Sequence, residues 1–405
     1  MSPSRISLSV CPAICVSVVA IGLFARPAVL SADNWPQWRG AEGNSVSRET
    51  GIPLTWGEGA NIAWKTPIPE WGTSSPSIWG NALFITAETD GKLLLLKLDK
   101  TGGAVEWTRE VGSGIANRKQ PQGENRAPKF HELHNLASPT AALDGERAIV
   151  HFGNGELASY KFDGTLEWRR NLADDFGRYT IWWGHANSPI LYENLVISVC
   201  MQDSLKGLKP DLAPSYVVAH DKRTGELVWK SDRMTTADAE QCDSYTSPVF
   251  ARVGGRTEMI VMGGNQLDSY DPATGRQLWS LPGLVGGRTI TGPTVAGNIV
   301  VTTVGMRGPM TAVRLDGSSE GVLAAEDSIA WKNTDSTPDT CCPVVWNDLL
   351  FSVADNGVAT CIESGSGKVL WKQRLGGDFK STPVAAEGRI YFVNRAGTCT
   401  VVKAD

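Results

Sequence analysis

Seven tryptophans, Trp64, Trp107, Trp168, Trp229, Trp279, Trp331 and Trp371, recur along this 405-residue chain at spacings of 40 to 61 residues. Ahead of the stretch that leads to each next tryptophan stands a small residue followed by proline. These pairs are Ser75-Pro76, Ser138-Pro139, Ser188-Pro189, Ser247-Pro248, Gly292-Pro293, Cys342-Pro343 and Thr382-Pro383. Short apolar runs and turn residues fill the space between the marks. A repeat of this period points to an all-β propeller, in which each unit buries its faces only by stacking on its neighbours. Such a scaffold hosts enzymes, binding proteins and assembly hubs alike, so the repeat speaks to architecture and leaves function open.

The repeat from Asn187 to Trp229 shows how a blade of four antiparallel strands is encoded. Ser188-Pro189-Ile190-Leu191 opens the first strand and Asn194–Cys200 is a β-rich second. Tyr216–His220 is the third, Asp221–Gly225 a turn, and Glu226–Lys230 the fourth, which carries Trp229. Proline at the start of the first strand loses no ladder donor. The turn glycine can take the positive φ a hairpin needs. The tryptophan on the outermost strand can wedge its apolar body against the next blade. An eight-residue step from turn to tryptophan recurs from Asp99 to Trp107, Asp271 to Trp279 and Glu363 to Trp371. It is shortened before Trp168, and after Asp316-Gly317 it degrades into a long path to Trp331.

The last repeat has its opening strands but no tryptophan strand, and Trp64 has no opening strands before it. The expected solution is a ring closed by Ile62–Thr66 as the fourth strand of the last blade, which hides both sheet edges. That gives seven blades; an eighth would need strands from Trp35–Gly57 or Gly112–Asn135. The domain plan is then a signal peptide over 1–32, an N-terminal extension over 33–60 and the propeller over 61–405.

The signal reading rests on Arg5, the largely apolar run Ile6–Ala25 and the small-residue cleavage site Leu30-Ser31-Ala32. The competing reading is a single membrane anchor. Export implies a periplasmic or extracellular protein, expected to be a monomer. The net charge of −5 without a basic block argues against nucleic acid as a partner. Two of the eight cysteines fall in the leader, and the rest are too sparse for a disulfide scaffold.

The pattern Ala219-x-Asp221-x-x-Thr224-Gly225-x-x-x-Trp229 resembles the tryptophan-docking repeat of the pyrroloquinoline-quinone-type propellers, and the resemblance covers Ile62 to Asp405. That superfamily includes quinoprotein alcohol dehydrogenases and also an outer-membrane assembly lipoprotein that binds partner proteins and no quinone. The opening Asn34-Trp35-Pro36-Gln37-Trp38-Arg39-Gly40 is similar to the start of exported propellers. The resemblance therefore implies either a binding scaffold or a quinone-dependent oxidoreductase. Cys341-Cys342 resembles the adjacent pair that forms a vicinal disulfide against the quinone in the dehydrogenases. The alternative for Cys341 and Cys342 is packing, because they fill the ordinary small-Pro slot of the repeat.

Loops that lead into the innermost strands converge on one mouth of a propeller channel, where a ligand site is expected. The residues placed there are His134, Asn135, His185, Asn187, Asp243, Tyr245, Arg288 and Lys380, set against the reading that they cap strands or hold channel water. His131, His134 and His185 are the candidate metal ligands, with backbone-bonded loop histidines as the alternative. A quinone enzyme also needs an ion such as calcium on carboxylate and amide oxygens and a carboxylate base, for which Asp243 is the candidate. No hydrolase elbow or P-loop is present. The long loops 112–135 and 202–214 suggest a lid or partner surface, against plain length variation. The preferred expectation is a binding or scaffold propeller for protein or cell-envelope ligands without a cofactor. The rival is an oxidoreductase using pyrroloquinoline quinone with calcium.

Overall fold

A computed structural model describes residues 34–69, 71–114, 134–181, 183–202 and 214–405. The expected leader, the metal candidate His131 and most of both long loops lie outside the described residues. Seven sheets follow one another along the chain, and each runs outward from its first strand. The first holds β1 (Ser77–Trp79), β2 (Ala82–Thr89), β3 (Lys92–Asp99) and β4 (Val105–Ser113). The second holds β5 (Ala142–Leu143), β6 (Arg147–His151), β7 (Glu156–Lys161) and β8 (Leu166–Asn171). The third holds β9 (Ile190–Tyr192), β10 (Leu195–Cys200), β11 (Ser215–Asp221) and β12 (Leu227–Arg233), close to the strands expected from its sequence.

The fourth sheet comprises β13 (Val249–Val253), β14 (Arg256–Gly263), β15 (Gln266–Tyr270) and β16 (Gln277–Pro282). The fifth comprises β17 (Thr294–Ala296), β18 (Ile299–Thr303), β19 (Met310–Arg314) and β21 (Ile329–Asn333), and the short β20 (Gly321–Val322) precedes β21 in the chain. The degraded fifth repeat has a structural use for its extra residues. They send β20 back to pair in parallel with β16, so blade four gains a fifth strand. The sixth sheet is β22 (Val344–Trp346), β23 (Leu349–Val353), β24 (Val358–Glu363) and β25 (Val369–Arg374). The seventh is β26 (Val384–Ala386), β27 (Arg389–Val393) and β28 (Cys399–Lys403). The short first strands β1, β5, β9, β13, β17, β22 and β26 stand around the axis, and consecutive ones touch for most of the ring. Side chains from facing sheets fill the interfaces, as where Val249, Ile260 and Trp279 of blade four meet Val300 and Val313 of blade five.

The tryptophans act between blades, and a backbone irregularity aims them. In all six four-strand repeats the ladder between third and fourth strands shifts register at the residue just before the tryptophan. A β-bulge bends its strand and redirects the adjacent side chain. The residue opposite is small in five of the six: Ser159, Ala219, Ser269, Ala312 and Cys361. Trp168 then reaches blade three, where its indole donates to the Lys222 carbonyl at 3.0 Å over the face of Gly225. Trp107, Trp331 and Trp371 donate in the same way to the main-chain oxygens of Phe162, Ser364 and Asp405. Trp279 faces the degraded turn and instead donates to the Glu258 carboxylate of its own blade at 2.8 Å.

At the ring closure the expectation is met by the tryptophan and not by a ladder. Trp64 donates to the Lys100 carbonyl at 2.9 Å and lies over Gly103, the docking place in blade one. Among the described residues, 61–69 form no strand and the seventh sheet has three strands. Side chains hold the stretch instead: Thr66 donates to the Gly103 carbonyl, and upstream of it Glu387 of blade seven accepts from Gly51 N and Ile52 N.

Residues 34–47 build no eighth blade. They thread the axis. Trp35 forms a two-bond bridge with Ile78 of β1, and Leu143 N of β5 donates to the Pro36 carbonyl. Arg39 reaches Pro293, Thr294 and Pro343 at the first strands of blades five and six. Val46 bridges Ala385 of β26. Turns at Gly40 and Gly43, with Arg39 and Ser45 in the left-handed region, fold this stretch tightly enough to fit. Strain at two non-glycine residues persists only where surrounding bonds over-determine the backbone, as the contacts from several blades do here.

Candidate binding site

The small-Pro pairs form a collar around the axis. Five of its backbone N–H groups each meet a hydroxyl or thiol of the following blade. Ser75 N donates to Thr140 Oγ1 at 3.0 Å, Thr140 N to Ser188 Oγ at 3.0 Å, and Ser188 N to Ser247 Oγ at 2.8 Å. Gly292 N donates to Cys342 Sγ at 3.1 Å, and Cys342 N to Thr382 Oγ1 at 3.1 Å. A bonded buried N–H avoids the penalty of an orphan donor, so the motif needs a small residue with an acceptor atom. Cys342 fills the place of a serine in this collar. Cys341 turns the other way, into the apolar interior with Val344, Phe351 and Phe379. Both are free thiols in this structure, and burial pushes the Cys341 thiol up to about 12.

Above the collar lies a well of about 500 Å³. Thr73, Ser138, Ala186, Tyr245, Ile290, Thr340 and Lys380 contribute to its wall, and Trp35, Trp38, Arg39 and Ser45 form its floor. The axial segment therefore turns a through-channel into a blind pocket. Trp38 also accounts for the one glycine in the collar, because a Cβ at Gly292 would stand 3.3 Å from its ring. The Arg39 guanidinium lies 5.5 Å from the Trp38 ring centroid, a cation–π distance. Arg39 is 3% exposed, and burial lowers its pKa, partly opposed by the nearby Cys342 sulfur.

The residues expected at the mouth divide into three groups. Tyr245 and Lys380 line the well. Lys380 also pairs with the Asp355 carboxylate. Arg288 belongs to an adjoining pocket between blades five and six, where it pairs with Asp339 at 2.9 Å and Glu240 at 3.3 Å. Asp243 is 5% exposed, and its carboxylate accepts from the Tyr245 hydroxyl at 3.2 Å. Of Asp243, Arg288 and Lys380, only Lys380 lines the well.

Asn135, His185 and Asn187 are buried between blades one to four, with His134 half-buried beside them. Asn135 donates to Thr73 Oγ1 and Asn187 to the Thr246 carbonyl, so both act as ties between neighbouring blades. His185 Nε2 lies 3.2 Å from His151 Nδ1 and 3.1 Å from the Asn187 carbonyl, and His151 Nε2 lies 3.0 Å from the Tyr179 hydroxyl. Burial lowers His134 to about 4 and His185 to about 3, and pushes His151 well below its ordinary value. His185 and His151 thus belong to an interior hydrogen-bond chain that ends on Tyr179. Among the described residues no group of three or more His, Cys, Asp or Glu is arranged to hold a metal ion. Sequence reasoning misses His151, which sits inside strand β6, and Arg39, whose only signal is the Trp-x-x-Trp-Arg-Gly run in a stretch too short for a blade.

The donor set also bears on the quinone–calcium reading. Calcium takes six to eight oxygens, carboxylates foremost. Among the described residues no carboxylate lines the well, whose charged side chains are Arg39, Lys380 and Arg395. The lining does not fit a calcium-held quinone.

Seven antiparallel blades locked by docked tryptophans, with an internally stopped channel, define a β-propeller of the pyrroloquinoline-quinone-like class. The sequence profile described as outer membrane protein assembly factor BamB matches residues 47–203, 213–323 and 319–405, and the chain belongs to that family. No curated protein sequence matches. Among solved structures it is similar to BamB from Moraxella catarrhalis, at 16% identity and a TM-score of 0.54, with 82% of this chain and 80% of that one covered. It is also similar to the quinohemoprotein alcohol dehydrogenase ADHIIG from Pseudomonas putida HK5, at 14% identity and a TM-score of 0.54. That match covers 79% of this chain and 61% of the dehydrogenase. Identities this low establish the shared fold. Among the described residues no helix is long and apolar enough to cross a membrane.

Proposed function

We propose that the protein is an exported binding or scaffold propeller that presents the mouth of its well to a protein or cell-envelope ligand. The observation that carries this reading is the stopped channel, around whose mouth Arg288 pairs with Asp339 and Glu240, Lys380 with Asp355, and Asp243 with Tyr245. Groups held this way position loops and offer a polar face. They do not make a reactive acid–base pair beside a metal. The family's description as an outer membrane assembly factor supports a protein partner, and the charged start and apolar run of residues 1–32 support export to the periplasm or beyond.

The test has two arms. A photo-reactive residue at position 245 or 380 is expected to crosslink to an envelope component, and one at position 298, in the β17–β18 turn, is not. Calorimetry of the purified chain with pyrroloquinoline quinone, with and without calcium, is expected to show no calcium-dependent binding. Calcium-dependent binding near one to one would overturn the scaffold reading in favour of the oxidoreductase.

A further inference from the structure

Four hydroxyls on the well donate to no acceptor among the described residues. Thr140 Oγ1, Ser188 Oγ, Ser247 Oγ and Thr382 Oγ1 all line it, and each accepts a backbone N–H from the preceding blade. A hydroxyl has one proton to give and two lone pairs to receive with. With one lone pair held by the collar, each hydroxyl keeps its proton to offer a ligand.

The floor adds a charge without a counter-charge. A guanidinium carries five N–H donors. That of Arg39 makes four hydrogen bonds, to Ser45 Oγ at 3.3 Å, the Pro293 carbonyl at 2.7 Å, Thr294 Oγ1 at 2.9 Å and the Pro343 carbonyl at 3.2 Å. All four acceptors are neutral. A buried cation is ordinarily paired with a carboxylate, because removal from water is costly otherwise. Arg395, at the β27–β28 turn, puts a second guanidinium on the well, and its side chain has no partner among the described residues. Lys380 supplies a third cation, shared with Asp355.

We propose that the well binds a small oxyanion of two or more acidic groups without a metal ion, seated over Arg39 and held by the collar hydroxyls, Arg395 and Lys380. This rests on the binding reading above and names the chemistry of its ligand. Carboxylate and phosphate share that chemistry, and a volume of about 500 Å³ lies in the range of small-molecule pockets.

The test is calorimetric titration of the full mature chain with citrate and, separately, with inorganic pyrophosphate, both in EDTA and at low and moderate salt. One-to-one binding of at least one of them is expected, weakening as salt rises. A carboxylate source favours citrate and a phosphate source pyrophosphate. Arg395→Glu and Arg39→Gln are each expected to weaken binding at least tenfold, and Arg252→Glu, the same charge change on the exposed part of β13, to leave it unaltered. Arg395→Glu should keep the melting temperature of the free protein, so it decides the matter if Arg39→Gln fails to fold. Absence of binding by both anions, or equal weakening by Arg252→Glu and Arg395→Glu, overturns the proposal. Neither result touches the scaffold reading, which stands or falls on the crosslinking pattern.

Discussion

Replacing Gly225 by alanine tests whether tryptophan docking holds the ring together. Gly225 has φ +72°, and a Cβ there would lie 2.6 Å from Cδ2 and 2.7 Å from Cε3 of Trp168. The left-handed backbone alone costs an alanine about 1–2 kcal/mol. The overlap adds about 1–3 kcal/mol if the indole shifts within its slot. If the shift also breaks the 3.0 Å bond from Trp168 Nε1 to the Lys222 carbonyl, a further ~1 kcal/mol goes with it. The sum is about 3–6 kcal/mol. Gly297 is the matched control, with φ +59° and no atom within 4 Å of the place a Cβ would take, so Gly297→Ala should cost only the backbone part. Urea unfolding followed by tryptophan fluorescence compares the midpoints of the two variants. Equal destabilisation by Gly225→Ala and Gly297→Ala would refute the docking argument, because it would leave the indole with no part in the loss.

Cys342→Ser should hold the melting temperature close to that of the parent, whereas Cys342→Ala should cost about 1–3 kcal/mol by stranding the Gly292 N–H; thermal melts of the pair check this. The buried histidines set an acid limit. Their folded pKa values are depressed, so they cost nothing above the unfolded value near 6.5, and stability is lost as pH falls from there toward the folded values. For His185, lowered to about 3, the loss reaches about 3 kcal/mol by pH 4, and His185→Gln should flatten the urea midpoint against pH across that window. Arg39→Met leaves the Pro293 carbonyl without its donor, while the Pro343 carbonyl keeps the Thr294 hydroxyl, and should lower the melting temperature by several degrees, since a loss of about 1–3 kcal/mol is expected for such a bond set. Differential scanning fluorimetry reads it, and an unchanged melt would show that the axial segment contributes nothing to closure.

The repeat is legible because its marks are local and recur. The small-Pro pairs, the turn glycines and the tryptophans each follow from a backbone requirement within a few residues, so strands β9 to β12 fall close to where their sequence places them. Cys361 is a fair example: it reads as a small buried residue, and it lies opposite Trp371 at the bulge. What stays hidden depends on contacts between distant parts of the chain. Nothing near Arg39 announces Pro293 or Pro343, which lie 254 and 304 residues away. The polarity of the leading loops does not tell which side chains face the well. His134 and His185 turn into the inter-blade interior, where His151 and Tyr179 receive His185, and Arg288 turns outward to Asp339.

The axial segment changes what this propeller can do more than any rim residue does. An open channel lets a ligand be reached from both faces, and lets loops on one face shape a site that extends to the other. Here Trp35, Trp38, Arg39 and Ser45 stand on the axis beneath a well whose wall carries Thr73, Tyr245 and Lys380. The same residues bring into the axis a guanidinium that no blade supplies. The segment also ties the first strands of blades one, two, five, six and seven together, in a ring whose last sheet has three strands among the described residues. Closure and site therefore depend on one short axial stretch, residues 34–47, and a loss of ligand binding without a loss of stability in Arg39→Met would separate the two roles.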